Sequence, residues 1–237
     1  MNGDSEKARD IEFTFMMPCL NEERSLRFCI DDAKSAIERL SLSAEILIVD
    51  NGSTDSSADI ARECGARVVR EEKRGYGAAL IKGIESAGGK YVIMGDADGS
   101  YDIKNPDEFI NKLREGYSLV VGNRFKGGIE RGAMPFLHKI GVPALSLLAR
   151  LRFRVPIYDF HCGLRALKRE DAMTLSLSSD GMELATEMIA AFGRGGFKMI
   201  EVPTRLFKDK RGGIHSHLRT VRDGFRHLYY IIFEKTL

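Results

Sequence analysis

Short apolar segments alternate with helix-like segments through the first half of the chain, and this alternation restricts the folds available to it. Strands are predicted at residues 11–17, 44–49, 68–69 and 91–94, which are apolar or β-branched and end in polar, turn-forming residues. The resulting βαβαβαβ order indicates an α/β protein with a mostly parallel sheet and helices on both faces. Ligands of such sheets bind beyond the carboxyl ends of the strands, so functional residues are expected there.

The helices between these strands are predicted from apolar spacing and from residues that can start a helix. Residues 22–40 carry an apolar stripe at helical spacing, formed by Leu26, Ile30, Ala33, Ile37 and Leu40. A second helix is expected after residues 53–55, where the side chain of Asp55 is predicted to cap exposed amides. A third helix is expected after residues 75–77.

The chain is predicted to form one domain with two halves. Its 237 residues, 43% of them apolar, are enough to bury one substantial core. The regular alternation is lost after a strand at residues 117–125, and an apolar helix follows at residues 136–151. We therefore place the boundary between residues 11–125 and residues 126–237, and expect the polar residues 1–10 to be a flexible N-terminus.

Charge and cysteine content argue against several classes of function. Lys and Arg total 36 and Asp and Glu total 34, so the formal net charge of +2 gives no reason to expect nucleic acid as a partner. The four cysteines form no CxxC pair, which argues against a zinc knuckle or a disulfide framework and is typical of a reducing cytosol. No secretory signal is visible, and the apolar run at residues 228–233 is far shorter than the ~20 residues that cross a bilayer. We therefore expect a cytoplasmic protein.

Polar motifs follow three of the predicted strands. They occupy residues 18–22, 50–55 and 96–98, where the strands leave the sheet at one edge. Asp96 and Asp98 offer hard oxygen ligands that suit Mg²⁺ or Mn²⁺, and a diphosphate would complete the coordination shell. Two acidic residues after a strand are more often a solvated turn, but the joint placement of the three motifs favours metal binding.

Two further features have both a functional and a structural interpretation. Asp50 follows an apolar strand and is predicted to accept hydrogen bonds from a base or a ribose. Residues 74–78 resemble the dinucleotide fingerprint G-x-G-x-x-G only superficially, because its third glycine would fall at Leu80, which argues against an oxidoreductase. The helix that starts here is predicted to let backbone amides approach a phosphate, because it opens on the small residues Gly75, Gly77 and Ala78.

Five motifs occur in the order found in family 2 glycosyltransferases with a GT-A fold. They lie at residues 18–22, 50–55, 74–78, 96–98 and 122–124. From about residue 13 to residue 225 the chain resembles this family and, within it, is similar to the dolichyl- or polyprenyl-phosphate sugar synthases. The resemblance implies a GT-A fold, a UDP- or GDP-linked hexose as donor and Mg²⁺ or Mn²⁺ as cofactor.

The resemblance also assigns roles to individual residues on the donor side. It implies that the donor is held by Pro18, Asn21, Glu22 and Asp50, and that the metal and the diphosphate are reached by Asp96 and Asp98. Two positions depart from the pattern of the family. Leu20 stands where an aromatic residue is often found, and Ser100 stands where a Gln is often found. The motifs therefore identify neither a base-stacking residue nor a third metal ligand.

The second half contains the segment expected to bind the acceptor. Residues 158–165 are similar to the acceptor-side segment of the family, and the resemblance carries over Asp159 and Arg165. His161 and Cys162 in this segment suggest a nucleophile or a metal ligand. A buried cysteine beside a strand is the preferred interpretation.

Two other groups of charged residues lie in the second half. Glu183 and Glu187, one helical turn apart, point either into the site or towards solvent. Residues 205–219 resemble the basic, glycine-containing loop that the family folds over donor and acceptor phosphates. The predicted ligand contacts of this loop are Arg205, Lys210, Arg211 and Ser216. For Lys208 and Lys210 the alternative is a solvated basic turn.

The acceptor decides which residues catalysis needs. A hydroxyl acceptor needs a base, for which Asp159 is the first candidate, whereas a phosphate acceptor is already anionic. The resemblance implies direct displacement with inversion onto polyprenyl or dolichyl phosphate, with Asp98, Arg124 and Asp159 as catalytic residues. The alternatives are a family member that glycosylates a hydroxyl of a saccharide or small acceptor, and a non-catalytic module that binds nucleotide sugars.

Two apolar helices have the composition of helices that lie at a membrane surface. Residues 136–151 and 225–233 combine Leu, Ile, Tyr and Phe with Arg and Lys, although core helices share this composition. Together with the resemblance, they indicate that residues 11–125 bind the nucleotide sugar and that residues 126–237 bind the acceptor through a basic loop and an interfacial C-terminal helix. We expect peripheral attachment to the cytoplasmic face of a membrane, with a homo-oligomer or a membrane subunit as candidate assemblies.

Overall fold

The computed structural model describes residues 10–211 and 220–233, which contain a seven-stranded sheet flanked by helices. The strands are β1 (Phe13–Cys19), β2 (Ala44–Asp50), β3 (Arg67–Arg70), β4 (Tyr91–Met94), β5 (Leu119–Asn123), β6 (Arg165–Lys168) and β7 (Met199–Pro203). The helices are α1 (Leu26–Arg39), α2 (Ser57–Glu63), α3 (Tyr76–Ser86), α4 (Asp107–Arg114), α5 (Arg124–Gly127), α6 (Phe136–Phe153), α7 (Arg169–Met173), α8 (Leu184–Arg194) and α9 (Thr220–Phe233).

The sheet is mostly parallel, as predicted, and its order is β3-β2-β1-β4-β6-β5-β7. β1 pairs in parallel with β2 and β4, β2 with β3, and β5 with β7. β6 runs antiparallel between β4 and β5, with Met94 of β4 opposite Arg165. Because β6 and β7 come from the second half of the chain, both predicted halves contribute strands to one sheet.

The strands and helices predicted for the first half are confirmed with small shifts. β4 has the predicted bounds, whereas β1 reaches Cys19 because it stays paired with β2 as far as Asp50. The inner part of the predicted stripe of α1 is buried against the sheet. Ile37 and Leu40 are only partly buried, because the helix ends at Arg39.

The core lies on both faces of the sheet and is built around its central strands. Residues of β1, β2 and β4 are almost completely buried, including Phe13, Phe15, Leu47, Ile48 and Ile93. Helices cover both faces of these strands, which explains why the segments form continuous apolar runs instead of an alternating pattern.

The sequence pattern does not predict β6, β7 or the short α7. β6 has four residues, of which Ala166 and Leu167 are fully buried and the two ends are charged. A strand this short gives no apolar run, and its pairing depends on β4 and β5, which are distant in the sequence.

The glycines that open α3 make room for another segment of backbone. A Cβ atom on Gly77 would lie 2.1 Å from the carbonyl oxygen of Ser179, and one on Gly75 would lie 2.1 Å from that of Asp180. The amides of Gly77 and Ala78 donate to the Asp180 oxygen at 2.8 and 3.2 Å. A carbonyl of the chain itself thus takes the hydrogen bonds of the Gly77 and Ala78 amides in this structure, and their approach to a phosphate stays a prediction.

Glu187 fixes the segment that packs against these glycines. Its carboxylate accepts hydrogen bonds from the amides of Ser178 and Ser179 at 2.9 and 2.8 Å. Glu183 lies one turn earlier and pairs with Arg226 of α9 at 2.7 Å. Both interpretations of the two glutamates are wrong, since the carboxylates neither point into the site nor form a solvated face but hold neighbouring segments in place.

Gly77→Ala is expected to lower the free energy of unfolding by about 1 to 3 kcal/mol, because the added methyl group must displace the backbone at Ser179 and Gly181. The matched control is Gly141→Ala in α6, where nothing lies within 4 Å of the added atom and alanine favours the helix by about 1 kcal/mol. Chemical denaturation measures both variants. Equal stabilities would contradict the close packing of α3 against residues 178–181.

Candidate active site

A cavity of about 340 Å³ lies beyond the carboxyl ends of β1, β2 and β4. Six of the predicted residues line it, namely Pro18, Glu22, Gly75, Asp96, Asp98 and Arg211. The second half of the chain adds Met182, Arg222, Asp223 and Arg226 to its wall. We call it the carboxylate cavity, and both predicted halves form it.

Asp96 and Asp98 are held by hydrogen bonds in the turn after β4. The hydroxyl of Tyr76 donates to Asp96 Oδ1 at 2.8 Å, and the amide of Ser100 donates to Asp98 Oδ1 at 2.9 Å. Burial, followed by the nearby charge of Asp98, raises the pKa of Asp96 to about 7. A positive charge in this cavity would therefore stabilise the ionised form of both carboxylates.

Arg211 supplies one such positive charge. Its Nη1 atom lies 3.3 Å from Glu22 Oε1, and its Nη2 atom lies 3.2 Å from Asp98 Oδ2. Nη2 also lies 3.5 Å from a carboxylate oxygen of Asp209. Burial raises the pKa of Glu22, and the Arg211 charge opposes that shift. Arg211, which belongs to the basic loop that was expected near the phosphates, thus contacts Asp98 of the metal motif.

Asp96 and Asp98 fit a divalent cation only together with further oxygen ligands. Across residues 10–211 and 220–233, no three His, Cys, Asp or Glu side chains are grouped so that they could hold a metal. Two carboxylates leave most of the octahedral shell of Mg²⁺ to water or to a substrate phosphate, which is how Mg²⁺ is commonly bound. The donor set therefore suits a cation that arrives with a diphosphate.

A second cavity of about 220 Å³ adjoins the first. The walls of the two cavities share Tyr76, Asp96, Met182 and Asp223. The second cavity adds polar side chains and an apolar wall from α6, including Arg124, His161, Arg165, Leu137, Val142 and Leu145. We call it the arginine cavity.

Arg124 and Asp159 form a buried ion pair beside the arginine cavity. Nε and Nη2 of Arg124 donate to the two carboxylate oxygens of Asp159, each at 2.8 Å, and the amide of Arg124 donates to Asp159 at 3.1 Å. Asp159 is fully buried, whereas Arg124 lines the cavity. An acceptor in the cavity can thus reach Arg124 but not Asp159. This geometry opposes the expectation that Asp159 is a base for a hydroxyl acceptor.

His161 and His227 form a pair of neutral rings in the wall of the arginine cavity. Their centroids lie 4.3 Å apart, and Nδ1 of His227 lies 2.8 Å from the hydroxyl of Thr186. Burial lowers the pKa of His227 to about 4 and that of His161 well below its usual value near 6.5. Cys162 is fully buried, which raises its pKa to about 12 and opposes a nucleophilic role.

Known proteins share both the sequence motifs and the fold. The sequence pattern described as Glycosyl transferase family 2 matches residues 14–175, which is more than half of the chain. This chain belongs to glycosyltransferase family 2.

Curated relatives of this glycosyltransferase include two proteins from Haloferax volcanii. The low-salt glycan biosynthesis hexosyltransferase Agl6 is 33% identical over 98% of this chain and 55% of its own length. The dolichyl-phosphate hexose transferase is 30% identical over 81% of this chain and 83% of its own length. The chain thus spans little more than half the length of Agl6.

Solved structures confirm the GT-A fold of this glycosyltransferase. Glucosyl-3-phosphoglycerate synthase from Mycobacterium tuberculosis, in complex with Mn²⁺, UDP and glucosyl-3-phosphoglycerate, superposes with a TM-score of 0.70 at 21% identity. The likeness covers 93% of this chain and 80% of that one. At this level of identity it shows the fold alone.

Asn21 and Asp50 of this glycosyltransferase do not line the carboxylate cavity. The side-chain oxygen of Asn21 accepts from the amide of Thr54 at 2.8 Å, which ties the loop after β1 to the loop after β2. Asp50 accepts from the amide of Ser53 at 3.0 Å within the second of these loops. Asp55 accepts from the first amide of α2 at 3.0 Å, which confirms its predicted capping role.

Of the predicted ligand contacts of the basic loop, Arg211 lines the carboxylate cavity and others lie at the surface. Arg205 and Lys210 are exposed, and their charged groups lie over phenylalanine rings at 5.2 and 5.1 Å. The backbone amide of Lys210 nevertheless donates to the carbonyl of Asp98 at 2.7 Å. Ser216 lies outside the described residues.

Sequence reasoning assigns no role to Asn51 or Tyr76, although both line the carboxylate cavity. The Asn51 side chain donates to two carbonyls of the loop before α3 and accepts from the amide of Gly75 at 2.8 Å. Tyr76 orients Asp96. Both residues lie inside recognised motifs, Asn51 directly after β2 and Tyr76 at the start of α3. A polar side chain at these positions is the signal in the sequence.

His227→Gln is expected to reduce the loss of stability of this glycosyltransferase in acid. Because burial depresses the pKa of His227, the unfolded chain binds its proton more tightly than the native state does. His227 therefore does not lower the free energy of unfolding above pH 6.5. Its destabilising effect grows as the pH falls towards about 4, and it lowers the free energy of unfolding by on the order of 2 to 3 kcal/mol at pH 4.5. Denaturant titrations at pH 7 and pH 4.5 measure the loss. An equal loss in wild type and variant would refute the buried neutral ring.

Proposed function

We propose that this glycosyltransferase moves a hexose from a UDP- or GDP-linked sugar to the phosphate of a polyprenyl or dolichyl phosphate, with inversion at the anomeric carbon. The observation that supports this most is that the carboxylate cavity and the arginine cavity share Tyr76 and Asp96. A donor diphosphate near the carboxylates and a bound cation would thus lie beside an anionic acceptor near the arginines. Holding both partners in line is itself a large part of the catalysis.

Arg165 supports an anionic acceptor. Its guanidinium is buried and donates to the carbonyls of Phe160, Cys162 and Ala185 at 2.6 to 2.8 Å. Among the described residues it forms no ion pair with a carboxylate. A buried charge without a counterion is costly, so an anion in the arginine cavity would offset that cost.

The Arg124–Asp159 pair supports the same class of acceptor. A hydroxyl acceptor needs a base, but Asp159 is buried and both its oxygens accept hydrogen bonds from Arg124. A phosphate monoester needs no base at neutral pH. We therefore assign Asp159 a positioning role, in which it fixes the guanidinium of Arg124 towards the acceptor.

The reaction is a single displacement. An anionic oxygen of the acceptor phosphate forms a bond to the anomeric carbon, and the bond from that carbon to the diphosphate oxygen of the donor breaks. The nucleoside diphosphate leaves with the electron pair, and no proton changes place. Asp96 and Asp98 would hold Mg²⁺ or Mn²⁺, which when bound offsets the charge that develops on the leaving diphosphate.

The names of similar proteins agree with this proposal. One relative is named a dolichyl-phosphate hexose transferase, and one solved structure of the same fold holds Mn²⁺ and UDP.

Exposed apolar side chains on α6 and α9 support attachment to a membrane surface. Each of the following is at least half exposed: Phe136, Leu137, Ile140, Leu147, Leu151, Phe225, Tyr229 and Phe233. α6 contains no Asp or Glu, and Lys139, Arg150 and Arg152 make it basic. An apolar patch beside basic residues suits the interface of a bilayer that contains anionic lipids. Within residues 10–211 and 220–233, no helix has the length and apolarity needed to span a bilayer.

Asp96→Asn and Asp98→Asn are each expected to lower hexose transfer to polyprenyl phosphate by about 100-fold or more, because each removes one of the two carboxylates of the metal motif. The matched control is Asp107→Asn, an exposed carboxylate that pairs with Arg39. Product formation is measured with UDP- and GDP-hexoses, with Mn²⁺ or Mg²⁺ and with a chelator. Wild-type rates in either variant would exclude a metal role.

The same assay with saccharide hydroxyl acceptors tests the acceptor class. Product only with these acceptors would overturn the phosphate acceptor, and donor binding without any product would favour a binding module.

The double variant Phe136→Ser, Leu151→Ser is expected to bind anionic phosphatidylglycerol vesicles about tenfold more weakly than wild type, because two exposed side chains lose apolar contact. Met173→Ser, which removes a half-exposed side chain of α7, is the control. Co-sedimentation measures the bound fraction. Equal binding by all three proteins would rule out the proposed membrane surface.

A further inference from the structure

We infer that Arg211 occupies the place of the divalent cation at Asp98 and moves to the donor diphosphate when the cation binds. This inference rests on the proposed donor and metal, and it names the residue that couples their binding. Its consequence is that the cation and the nucleoside diphosphate each bind weakly alone and tightly together.

The hydrogen bonds of Asp98 explain why the two positive charges compete. Its Oδ1 atom accepts from the amide of Ser100 at 2.9 Å, so Oδ2 is the oxygen better placed to ligate a cation. Oδ2 lies 3.2 Å from Nη2 of Arg211, whose side chain is 8% exposed. A cation bound at about 2.1 Å from Oδ2 would meet the guanidinium at close range, and like charges at that range repel strongly in a buried site.

A donor diphosphate would offer Arg211 an alternative partner within the same cavity. Its Nε atom is buried and has no hydrogen-bond partner among the described residues. Arg74, Arg222 and Arg226 also line the carboxylate cavity, which therefore has a cationic side suited to phosphate. A guanidinium binds phosphate oxygens in a bidentate manner, so leaving Asp98 costs Arg211 little when a diphosphate is present.

For this exchange only the side chain of Arg211 has to move, while its backbone stays in place. The amide of Phe207 donates to the carbonyl of Ser100 at 2.9 Å, and the amide of Lys210 donates to that of Asp98 at 2.7 Å. These bonds hold residues 207–210 beside the metal motif. The long side chain of Arg211 can therefore turn from one partner to the other while its backbone stays in place.

The charges around Arg211 explain the cooperativity. Three carboxylates lie within 3.5 Å of the Arg211 guanidinium, namely those of Glu22, Asp98 and Asp209. A diphosphate that arrives alone meets these carboxylates, and a cation that arrives alone meets Arg211. When both arrive, each charge gains an opposite partner, which is a positive coupling between two ligands of one site.

The test measures the binding of Mn²⁺ and of UDP or GDP, each alone and together, by calorimetry and by the electron paramagnetic resonance of free Mn²⁺. The variant is Arg211→Met in the full chain, and the control is Arg194→Met, which removes the same charge from an exposed residue at the end of α8. Arg211→Met is expected to bind Mn²⁺ alone at least tenfold more tightly than wild type. It is also expected to lose most of the coupling, which typically amounts to 5- to 150-fold in affinity. Arg194→Met is expected to match wild type in both respects.

The inference is overturned if Arg211→Met binds Mn²⁺ alone no more tightly than wild type does, or if Arg194→Met changes the affinity equally. Arg211→Gln, which keeps part of the hydrogen bonding, and a thermal melt of each variant show whether the fold is retained. If neither nucleotide raises the Mn²⁺ affinity of wild type, the proposed donor class fails. The affinity for Mn²⁺ alone still decides whether Arg211 competes with a cation.

Discussion

Repulsion between carboxylates at the carboxyl ends of β1 and β4 is the constraint around which the site is organised. Glu22, Asp96 and Asp98 line one cavity, where burial raises the pKa of Glu22 and of Asp96 and the nearby charge of Asp98 raises both further. The protein offsets this repulsion with the Arg211 guanidinium and with a hydrogen bond from Tyr76. Carboxylates grouped in this way favour a positive charge beside them.

The far side of Asp96 has the opposite electrostatic character. Arg124 and Arg165 line the arginine cavity, and only Arg124 has a carboxylate partner among the described residues. The two neighbouring histidines are held neutral by burial, so they add no charge there at pH 7. The proposed cation-binding side and the proposed anion-binding side thus share Tyr76, Asp96, Met182 and Asp223. This arrangement suits a reaction between two anionic substrates, because each substrate has its own source of neutralisation.

The sequence predicts the parts of this molecule that depend on local patterns. The apolar runs of β1, β2 and β4 identify the central strands, and the motifs after them identify three of the carboxylates of the carboxylate cavity. Contacts between distant segments are not predicted. Nothing in residues 74–78 shows that the carbonyl of Asp180 takes the amides of α3, and nothing near Asp159 shows that Arg124 takes both its oxygens.

These contacts were not predicted because their partners lie far apart in the sequence. Asp180 lies about one hundred residues from Gly77, and the segment around it has no apolar pattern of its own. A glycine at the start of a helix is compatible with a bound phosphate and with a packed carbonyl, and only the tertiary structure distinguishes the two. The strands β6 and β7 were not predicted for a related reason, since their pairing partners are distant in sequence.

The reversed direction of β6 has a consequence for how such a site can be assembled. In a parallel sheet, each strand sends the loop that follows it to the active edge. Arg165, the first residue of β6, lies opposite Met94, the last residue of β4, so the antiparallel strand sends the loop that precedes it to the same edge. One inverted strand therefore places residues 158–164 across from the metal motif without an additional layer. Substrate preference can diverge in that loop while the strands that carry the acidic motif keep their register.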